Sequence, residues 1–273
     1  MMVLRKMMDV SVTDREKAIT WLLIGAIFFA MRSCEYLKTT QEESKRTRIV
    51  RVGNIVFKKG NILLSHNDPN LADADLVRIR FVFQKNDKRD VQVHMFRSGD
   101  ELLCPVIAWA STVKRVRSIP SASDNTEVCQ FIDNKNKITL LQASNIRTRL
   151  RSIVNLIGKE ILGFEKDDIG LHSIRSGGAM AMFLAGVSVI VIQRVGRWSS
   201  EAFLEYIRDQ VEAFTLNVSK DMLRFEEFLN LATENNTETA TVGNTTETTE
   251  NEDGPEVVPF TVRFNDLSLT NEN

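Results

Sequence analysis

The stretch LHSIRSGGAMAMFLAGVSVIVIQRVGRWSSEAFLEYIR, residues 171–208, decides how this chain folds. Its apolar residues, broken by glycine and serine, predict three successive helices. Gly186 ends the first helix, Ser188 caps the second, and Gly196 ends the second in turn. A serine of the following Ser-Ser pair then caps the third.

Four residues of this stretch are the first candidates for a functional site: His172, Arg175, Trp198 and Tyr206. The chain has only three histidines, three tryptophans and two tyrosines, so their grouping is notable. Taken singly, each has a structural interpretation: a satisfied buried histidine, a core tryptophan, a packing tyrosine. A functional interpretation therefore depends on how they combine with residues elsewhere in the chain.

Upstream, the apolar run AITWLLIGAIFFAM spans residues 18–31. It is shorter than the roughly 20 apolar residues that a membrane-crossing helix needs, and it begins too late for a signal peptide. Thr13, followed three residues later by Glu16, forms a capping-box pattern at its start. We therefore predict a buried helix that continues for about two turns through RSCEYLKT, and no membrane partner.

The clearest strands lie in DLVRIRFVFQKNDKRDVQVHMF, where apolar and polar residues alternate on both sides of a charged turn. Glycine-broken short strands precede this hairpin, and helical patterns follow it in CPVIAWASTVKRV and SNIRTRLRSIVNLIG. The pattern predicts an α+β, mainly helical fold with a small antiparallel β-sheet.

Charge divides the chain into two parts. Residues 231–273 contain nine acidic residues and one arginine, a net charge of −8, and their Thr/Asn-rich composition predicts a disordered tail. Residues 1–230 hold 34 Lys/Arg and 27 Asp/Glu, a net charge of +7, which is compatible with a nucleic-acid partner or with an ordinary solvated surface. The odd number of cysteines, without metal-ligand spacing, favours reduced thiols in an intracellular compartment and predicts no metal site.

Together with residues upstream, the four side chains form an ordered series. Arg32 and Glu35 follow the apolar helix in AMRSCEYLKT, and Lys85 stands in the hairpin turn. His172 and Arg175 form an H-x-x-R pattern, Trp198 comes 23 residues after Arg175, and Tyr206 ends the series. In order and spacing, the series resembles the catalytic domain of the tyrosine recombinase (phage integrase) family. HSIRSGGA and GRWSSEAFLEYIR look most like the recombinases of Crypton and DIRS-like eukaryotic transposable elements.

The resemblance, which covers about residues 14–210, implies a tyrosine recombinase catalytic-domain-like fold and a DNA integrase activity. Such an enzyme cleaves and rejoins DNA strands through a 3′-phosphotyrosine intermediate, without metal, ATP or other cofactor. It implies Tyr206 as the nucleophile, Arg32 and Arg175 as a phosphate clamp, and Lys85 as the general acid. His172 would assist the nucleophile, and Trp198 would bind phosphate through its indole N–H. The remaining predicted residues are Glu35, which supports Arg32, and candidates for DNA-backbone contact: Arg78, Arg80, Lys88, Arg194 and Arg197.

The resemblance also carries two departures. Trp198 and Tyr206 are eight residues apart, one fewer than in many bacterial members. Only about a dozen residues precede the region of resemblance, so the predicted catalytic domain takes in residues 1–230 and the family's N-terminal core-binding domain is expected to be absent. The expected partner is double-stranded DNA, with a homo-tetramer on paired sites as one interpretation of the amphipathic DMLRFEEFLNLA. The expected location is intracellular, and nuclear if the host is a eukaryote.

Two other functions stay open at this point. The chain could be a non-catalytic DNA-binding remnant of a mobile-element recombinase, which the short N-terminus favours. It could also be a type IB topoisomerase-like enzyme, which the H-x-x-R and Gly-Arg-Trp patterns disfavour. A helix-turn-helix regulator fits least, because it would have no use for Lys85 or Tyr206.

Overall fold

The helix predicted from the apolar run lies at the centre of the fold. It spans Asp14–Phe28, and nine of its residues are buried. The Thr13 hydroxyl accepts a hydrogen bond from the Glu16 amide, and the Glu16 carboxylate accepts one from the Thr13 amide, so the predicted capping box is confirmed. Among the described residues, no helix has both the length and the apolar character needed to cross a bilayer.

The computed structural model describes residues 1–38, 47–83, 89–198 and 204, all within one compact unit, Met1–Leu216. The α-helices of this part of the chain are α1 Met2–Asp9, α2 Asp14–Phe28, α3 Ser33–Tyr36, α4 Pro105–Arg117, α5 Ala143–Ile157, α6 Lys159–Leu162, α7 His172–Leu184 and α8 Val189–Gly196. Its strands are β1 Ile55–Lys59, β2 Ile62–Leu64, β3 Leu76–Phe83, β4 Arg89–Phe96, β5 Gln130–Ile132 and β6 Ile138–Leu140.

The larger sheet is antiparallel, with the strand order β2-β1-β3-β4. Val77, Ile79 and Phe81 alternate on its buried face, as the sequence pattern predicts. Phe81 pairs with Val91 across the hairpin. The predicted α+β fold with a small antiparallel sheet is therefore confirmed.

Helix α2 packs against α4 on one side and against α7 on another. The main core gathers around it, with the Trp109 ring of α4 meeting Phe29 edge to face at 6.3 Å between ring centroids. A second, smaller apolar cluster holds Ala30, Ala179, Ile192 and Trp198. It joins the end of α2 to α7 and α8, where several of the predicted site residues lie.

Two local predictions need correction. The segment after Arg32 forms a single helical turn rather than two, since α3 ends at Tyr36. Ser188 is the N-cap residue of α8, but its side chain makes no capping hydrogen bond. Helix α8 ends at Gly196, as predicted, and the residue after it, Arg197, adopts the left-handed conformation, with φ 58° and ψ 35°. The predicted third helix of the opening stretch and the acidic tail lie outside the described residues.

Candidate active site

Arg32 and Glu35 are brought together by the start of α3. Arg32 is the N-cap residue of this helix and Glu35 is its third residue, so the carboxylate lies one turn above the arginine. Glu35 Oε2 accepts a hydrogen bond from the Arg32 amide at 2.8 Å, and Oε1 accepts one from Arg32 Nη1 at 3.1 Å. The Glu35 side chain is fully buried, whereas that of Arg32 is 20% exposed. The predicted supporting contact of Glu35 with Arg32 is thus present.

Glu35 has a second cationic partner, Arg197. Arg197 Nη2 donates to Glu35 Oε2 at 2.7 Å, and both side chains are fully buried. Arg197 Nη1 donates to the carbonyl oxygens of Phe29 at 3.0 Å and Val195 at 2.8 Å. The Cζ atom of Arg197 lies 3.7 Å from the centroid of the Phe81 ring. The position does not fit the predicted DNA-backbone contact, because a guanidinium enclosed in this way does not reach a phosphate at the surface.

Arg175 lies on the first turn of α7 and is buried, with 2% of its surface exposed. Its Nη1 donates to the carbonyl oxygen of Ala30, and its Nη2 donates to that of Gly196 at 2.7 Å. The Trp198 ring covers it, with Arg175 Cζ 4.1 Å from the ring centroid. Arg175 is therefore a buried part of the candidate site and does not lie at its surface.

Arg175 and Arg197 share one physical role: each joins the C-terminal ends of α2 and α8. The last carbonyls of a helix have no partner within the helix and carry the negative end of its dipole. Phe29 and Ala30 supply these carbonyls just beyond α2, and Val195 and Gly196 supply them at the end of α8. Two guanidinium groups satisfy both sets, so electrostatics holds the two helix ends together.

Two glycines permit this close approach. A Cβ atom on Gly178 of α7 would come within 2.4 Å of the Ile27 carbonyl oxygen, so α7 packs directly against the backbone of α2. A Cβ atom on Gly196 would overlap the Trp198 ring, which folds back over that residue. The first glycine brings Arg175 to the end of α2, and the second lets the indole lie over Arg175.

His172 is exposed and is the first residue of α7. Partial burial lowers the pKa of His172 below its ordinary value of about 6.5, and the charges of Arg175 and Arg32 lower it further. The imidazole is therefore neutral at pH 7 and able to accept a proton. His172 lies on the same turn of α7 as Arg175, and the effect of both arginines on its pKa indicates that the imidazole is near them.

The cluster formed by Arg32, Glu35, Arg175 and Arg197 carries three guanidinium groups and one carboxylate, a formal excess of two positive charges. Burial lowers the pKa of the Arg197 guanidinium, while the adjacent Glu35 carboxylate opposes that shift. An arginine starts from so high a pKa that it stays charged at neutral pH. Such a cluster attracts an anion. Within the described part of the chain, no group of three His, Cys, Asp or Glu residues is placed to hold a metal ion.

Apart from Arg197, the predicted residues divide into three groups. Arg32, Glu35, His172, Arg175 and Trp198 come together at the ends of α2, α7 and α8. Other candidates lie on the surface or partly buried: Arg80 pairs with Asp90 at 2.8 Å, Arg78 lies on β3, and Arg194 is exposed on α8. Lys85, Lys88 and Tyr206 lie outside the described residues, so their roles stay predictions.

Sequence reasoning assigned Arg197 to the wrong kind of contact. The available signal was the Gly-Arg-Trp string at a helix end, where the left-handed position normally favours glycine. An arginine at that position needs strong interactions of its own side chain to be retained.

The sequence matches no protein-family model and no curated protein. Among solved structures, the chain is similar to the XerH site-specific recombinase bound to difH substrate, at 14% identity in a pre-cleavage complex and 13% in a post-cleavage complex. The TM-scores are 0.46 and 0.48, and the matches cover 75% and 80% of this chain. A Tn1549 transposon integrase in complex with transposon right end DNA is similar at 8% identity and a TM-score of 0.41, over 79% of this chain and 63% of that one. The chain spans about half the length of the XerH chains, 47% and 50%.

Proposed function

We propose that this chain is a site-specific DNA recombinase or integrase of the tyrosine type. The observation that carries the proposal is the cluster at the ends of α2 and α8: three guanidinium groups around one carboxylate, beside a neutral histidine. A phosphodiester in the transition state of strand cleavage gathers negative charge on its non-bridging oxygens. Fixed cations that are already in place stabilise that charge without rearrangement.

Each residue of the cluster has a distinct part in the proposed reaction. Arg32 is the arginine of the cluster with a partly exposed side chain, so it is the one proposed to meet the phosphate directly. Arg175 lies buried under the Trp198 indole, and its charge, like that of Arg32, acts on His172. Arginine suits this task because its planar fork donates two parallel hydrogen bonds to a phosphate and keeps its charge.

The nucleophile in this proposal is Tyr206. The chain has two tyrosines, and the other, Tyr36, is fully buried, with a hydroxyl that has no hydrogen-bond partner in the described part of the chain. Burial raises the pKa of Tyr36, so its phenol is a poor nucleophile as well as an inaccessible one.

The proposed chemical step balances without a cofactor. The Tyr206 phenol oxygen attacks phosphorus, its proton passes to His172, and the bond from phosphorus to the 5′ oxygen breaks. The departing 5′ oxygen takes a proton from Lys85. A 5′ hydroxyl of another strand end then attacks the phosphorus and gives its proton to Lys85, the bond from phosphorus to the Tyr206 oxygen breaks, and that oxygen regains its proton from His172.

The test is covalent capture of DNA. Because phosphate contacts carry no base information, the target is sought with a pool of nicked duplexes of randomised sequence. The wild-type chain is expected to form an adduct that survives denaturation, and Tyr206→Phe is expected to abolish the adduct while leaving DNA affinity nearly unchanged. Tyr36→Phe is the matched control, because it removes the other phenol hydroxyl, from the core. An adduct that persists in Tyr206→Phe would refute the assignment.

A second candidate function is a DNA-binding protein without cleavage activity. The observation in its favour is Arg175, whose two terminal nitrogens already donate to main-chain carbonyls inside the protein. Such a protein would bind the duplex pool but form no adduct with any member of it. The same capture experiment therefore separates the two functions.

A further inference from the structure

We infer that Arg197 is a positioning residue: through Glu35 it sets both the orientation and the net charge that Arg32 presents to DNA, and it anchors the turn that carries Trp198. The inference rests on the proposed function, and it assigns Arg197 a task other than touching DNA. Its support comes from geometry, backbone conformation and charge.

The geometry shows one guanidinium tied to three parts of the fold. Arg197 Nη1 donates to Phe29 beyond α2 and to Val195 on α8, while Nη2 donates to Glu35 on α3. Trp198 is its direct neighbour in the chain. Any movement of the Arg197 side chain is therefore transmitted both to the carboxylate that holds Arg32 and to the turn that holds the indole.

The backbone of Arg197 supports the same role. Its left-handed conformation, φ 58° and ψ 35°, is one that a residue with a Cβ atom adopts at an energetic cost, and glycine adopts it freely. The three hydrogen bonds and the contact with the Phe81 ring offset that cost. The turn is thus held by the side chain rather than by the intrinsic preference of the residue.

Charge explains why a second cation matters to Arg32. Glu35 Oε1 accepts from Arg32, and Oε2 accepts from Arg197, so one carboxylate is shared by two guanidinium groups. Without Arg197, the carboxylate would neutralise Arg32 alone. With Arg197 in place, Arg32, the arginine of the cluster whose side chain is partly exposed, keeps a surplus of positive charge.

The experiment compares the full-length wild-type chain with Arg197→Gly, which removes the guanidinium but suits the left-handed turn. We expect adduct formation on the captured nicked duplex to fall on the order of 10²-fold, the size of effect that misplacement of a catalytic group produces. DNA affinity is expected to change less than about threefold. In parallel, nitrogen-15 relaxation of the Arg32 Nε–H group, assigned with Arg32→Lys, is expected to show a loss of order.

Two further variants keep the inference testable if Arg197→Gly folds poorly. Glu35→Gln breaks the same link without opening a cavity, and we expect it to reduce the order of Arg32 as well. Arg115→Ala is the matched control: it removes another guanidinium from two main-chain carbonyls, those of Val128 and Gln130, in a different part of the fold. We expect that variant to leave both the order of Arg32 and adduct formation per folded molecule unchanged.

The order of Arg32 tests the positioning role, and adduct formation tests the proposed function. If Arg32 stays as ordered in Arg197→Gly and Glu35→Gln as in the wild type, the inference is overturned whether or not the chain cleaves DNA. If Arg32 loses order but the wild type forms no adduct with any duplex, the positioning role stands and the proposed function falls. An equal loss of adduct in Arg115→Ala would reduce Arg197 to a purely structural role.

Discussion

Arg115 and Arg175 are two arginines whose terminal nitrogens donate to main-chain carbonyls, Arg115 to Gln130 and Val128 and Arg175 to Ala30 and Gly196. Burial lowers the pKa of Arg115 to about 10, with the nearby Cys129 opposing the shift. Within the described part of the chain, Arg115 forms no ion pair, and its Nε has no hydrogen-bond partner. Arg115 is a single cation that joins α4 to the β5 region.

The surroundings of Arg175 differ in kind. Two more guanidinium groups, a shared carboxylate, an indole face and a histidine with a lowered pKa are gathered around it. A buried arginine by itself, such as Arg115, indicates only that it connects two elements of the fold. A group of cations that outnumbers the nearby carboxylates indicates a site for an anion, particularly when one of the cationic side chains is partly exposed.

The largest expected difference between the two arginines lies in catalysis. Alanine at either position leaves two carbonyls without their donors, so each variant should lose about 1–3 kcal/mol of unfolding free energy for each carbonyl left buried and unsatisfied. Arg175→Ala should also reduce adduct formation on the order of 10²-fold, because loss of the guanidinium beneath the Trp198 indole would misplace the groups around it. Arg115→Ala should leave the rate per folded molecule unchanged. Urea unfolding and single-turnover capture measure the two effects. Equal rate losses in the two variants would contradict a role for Arg175 in catalysis.

Two adjacent glycines of α7 test whether close packing of α7 on α2 places Arg175. Gly178→Ala forces a Cβ atom to within 2.4 Å of the Ile27 carbonyl oxygen, so we expect a loss of about 1–3 kcal/mol in unfolding free energy and slower adduct formation. Gly177→Ala meets only the Ile27 Cδ1 atom at 3.8 Å, an ordinary contact. That control should gain about 0.5–1 kcal/mol, because alanine favours the helix over glycine. Equal thermal stability of the two variants would contradict the close approach of α7 to α2.

The smallest expected effect concerns protonation of His172. Because its pKa is lowered in the folded chain, protonation favours the unfolded chain. The contribution of His172 to stability is therefore full above about pH 6.5 and is lost as the pH falls below that value. Urea unfolding at pH 7.5 and 5.5 should show a larger loss for the wild type than for His172→Asn. His66, whose pKa is also lowered, is present in both proteins and cancels in the difference.

The same histidine reports on the two arginines. Proton NMR titration should show the pKa of His172 rising towards its ordinary value in Arg175→Ala, because Arg175 is one of the charges that lower it. Arg115→Ala should leave the titration unchanged. A pKa that is insensitive to Arg175 would separate His172 from the cluster.

The elements that could be predicted from the sequence are those whose signals are local. The capping box of α2 and the alternation in β3 lie within a few residues of the structures that they specify. Helix α1 was missed because it has no side-chain cap and begins at the second residue. Strands β5 and β6 were missed because three residues are too few to show a period.

The candidate site could be predicted from the sequence only in part. The resemblance to the tyrosine recombinase family groups Arg32, Glu35, His172, Arg175 and Trp198, and the structure brings them together. The direction of a side chain at a left-handed helix end depends on tertiary contacts with Phe29, Phe81 and Glu35, which are remote in sequence. That dependence is why Arg197 was predicted to lie at the surface.

The left-handed backbone at position 197 has a consequence for how this gene can change over time. Every arginine codon is one base substitution away from a glycine codon, so the exchange is always within reach of a single mutation. Glycine there would relieve the backbone, but it would also remove the donor to the Phe29 and Val195 carbonyls and to the Glu35 carboxylate. Most other residues would lose the ion pair and keep the strain, so an arginine at this codon is expected to persist only in lineages where its guanidinium is still in use.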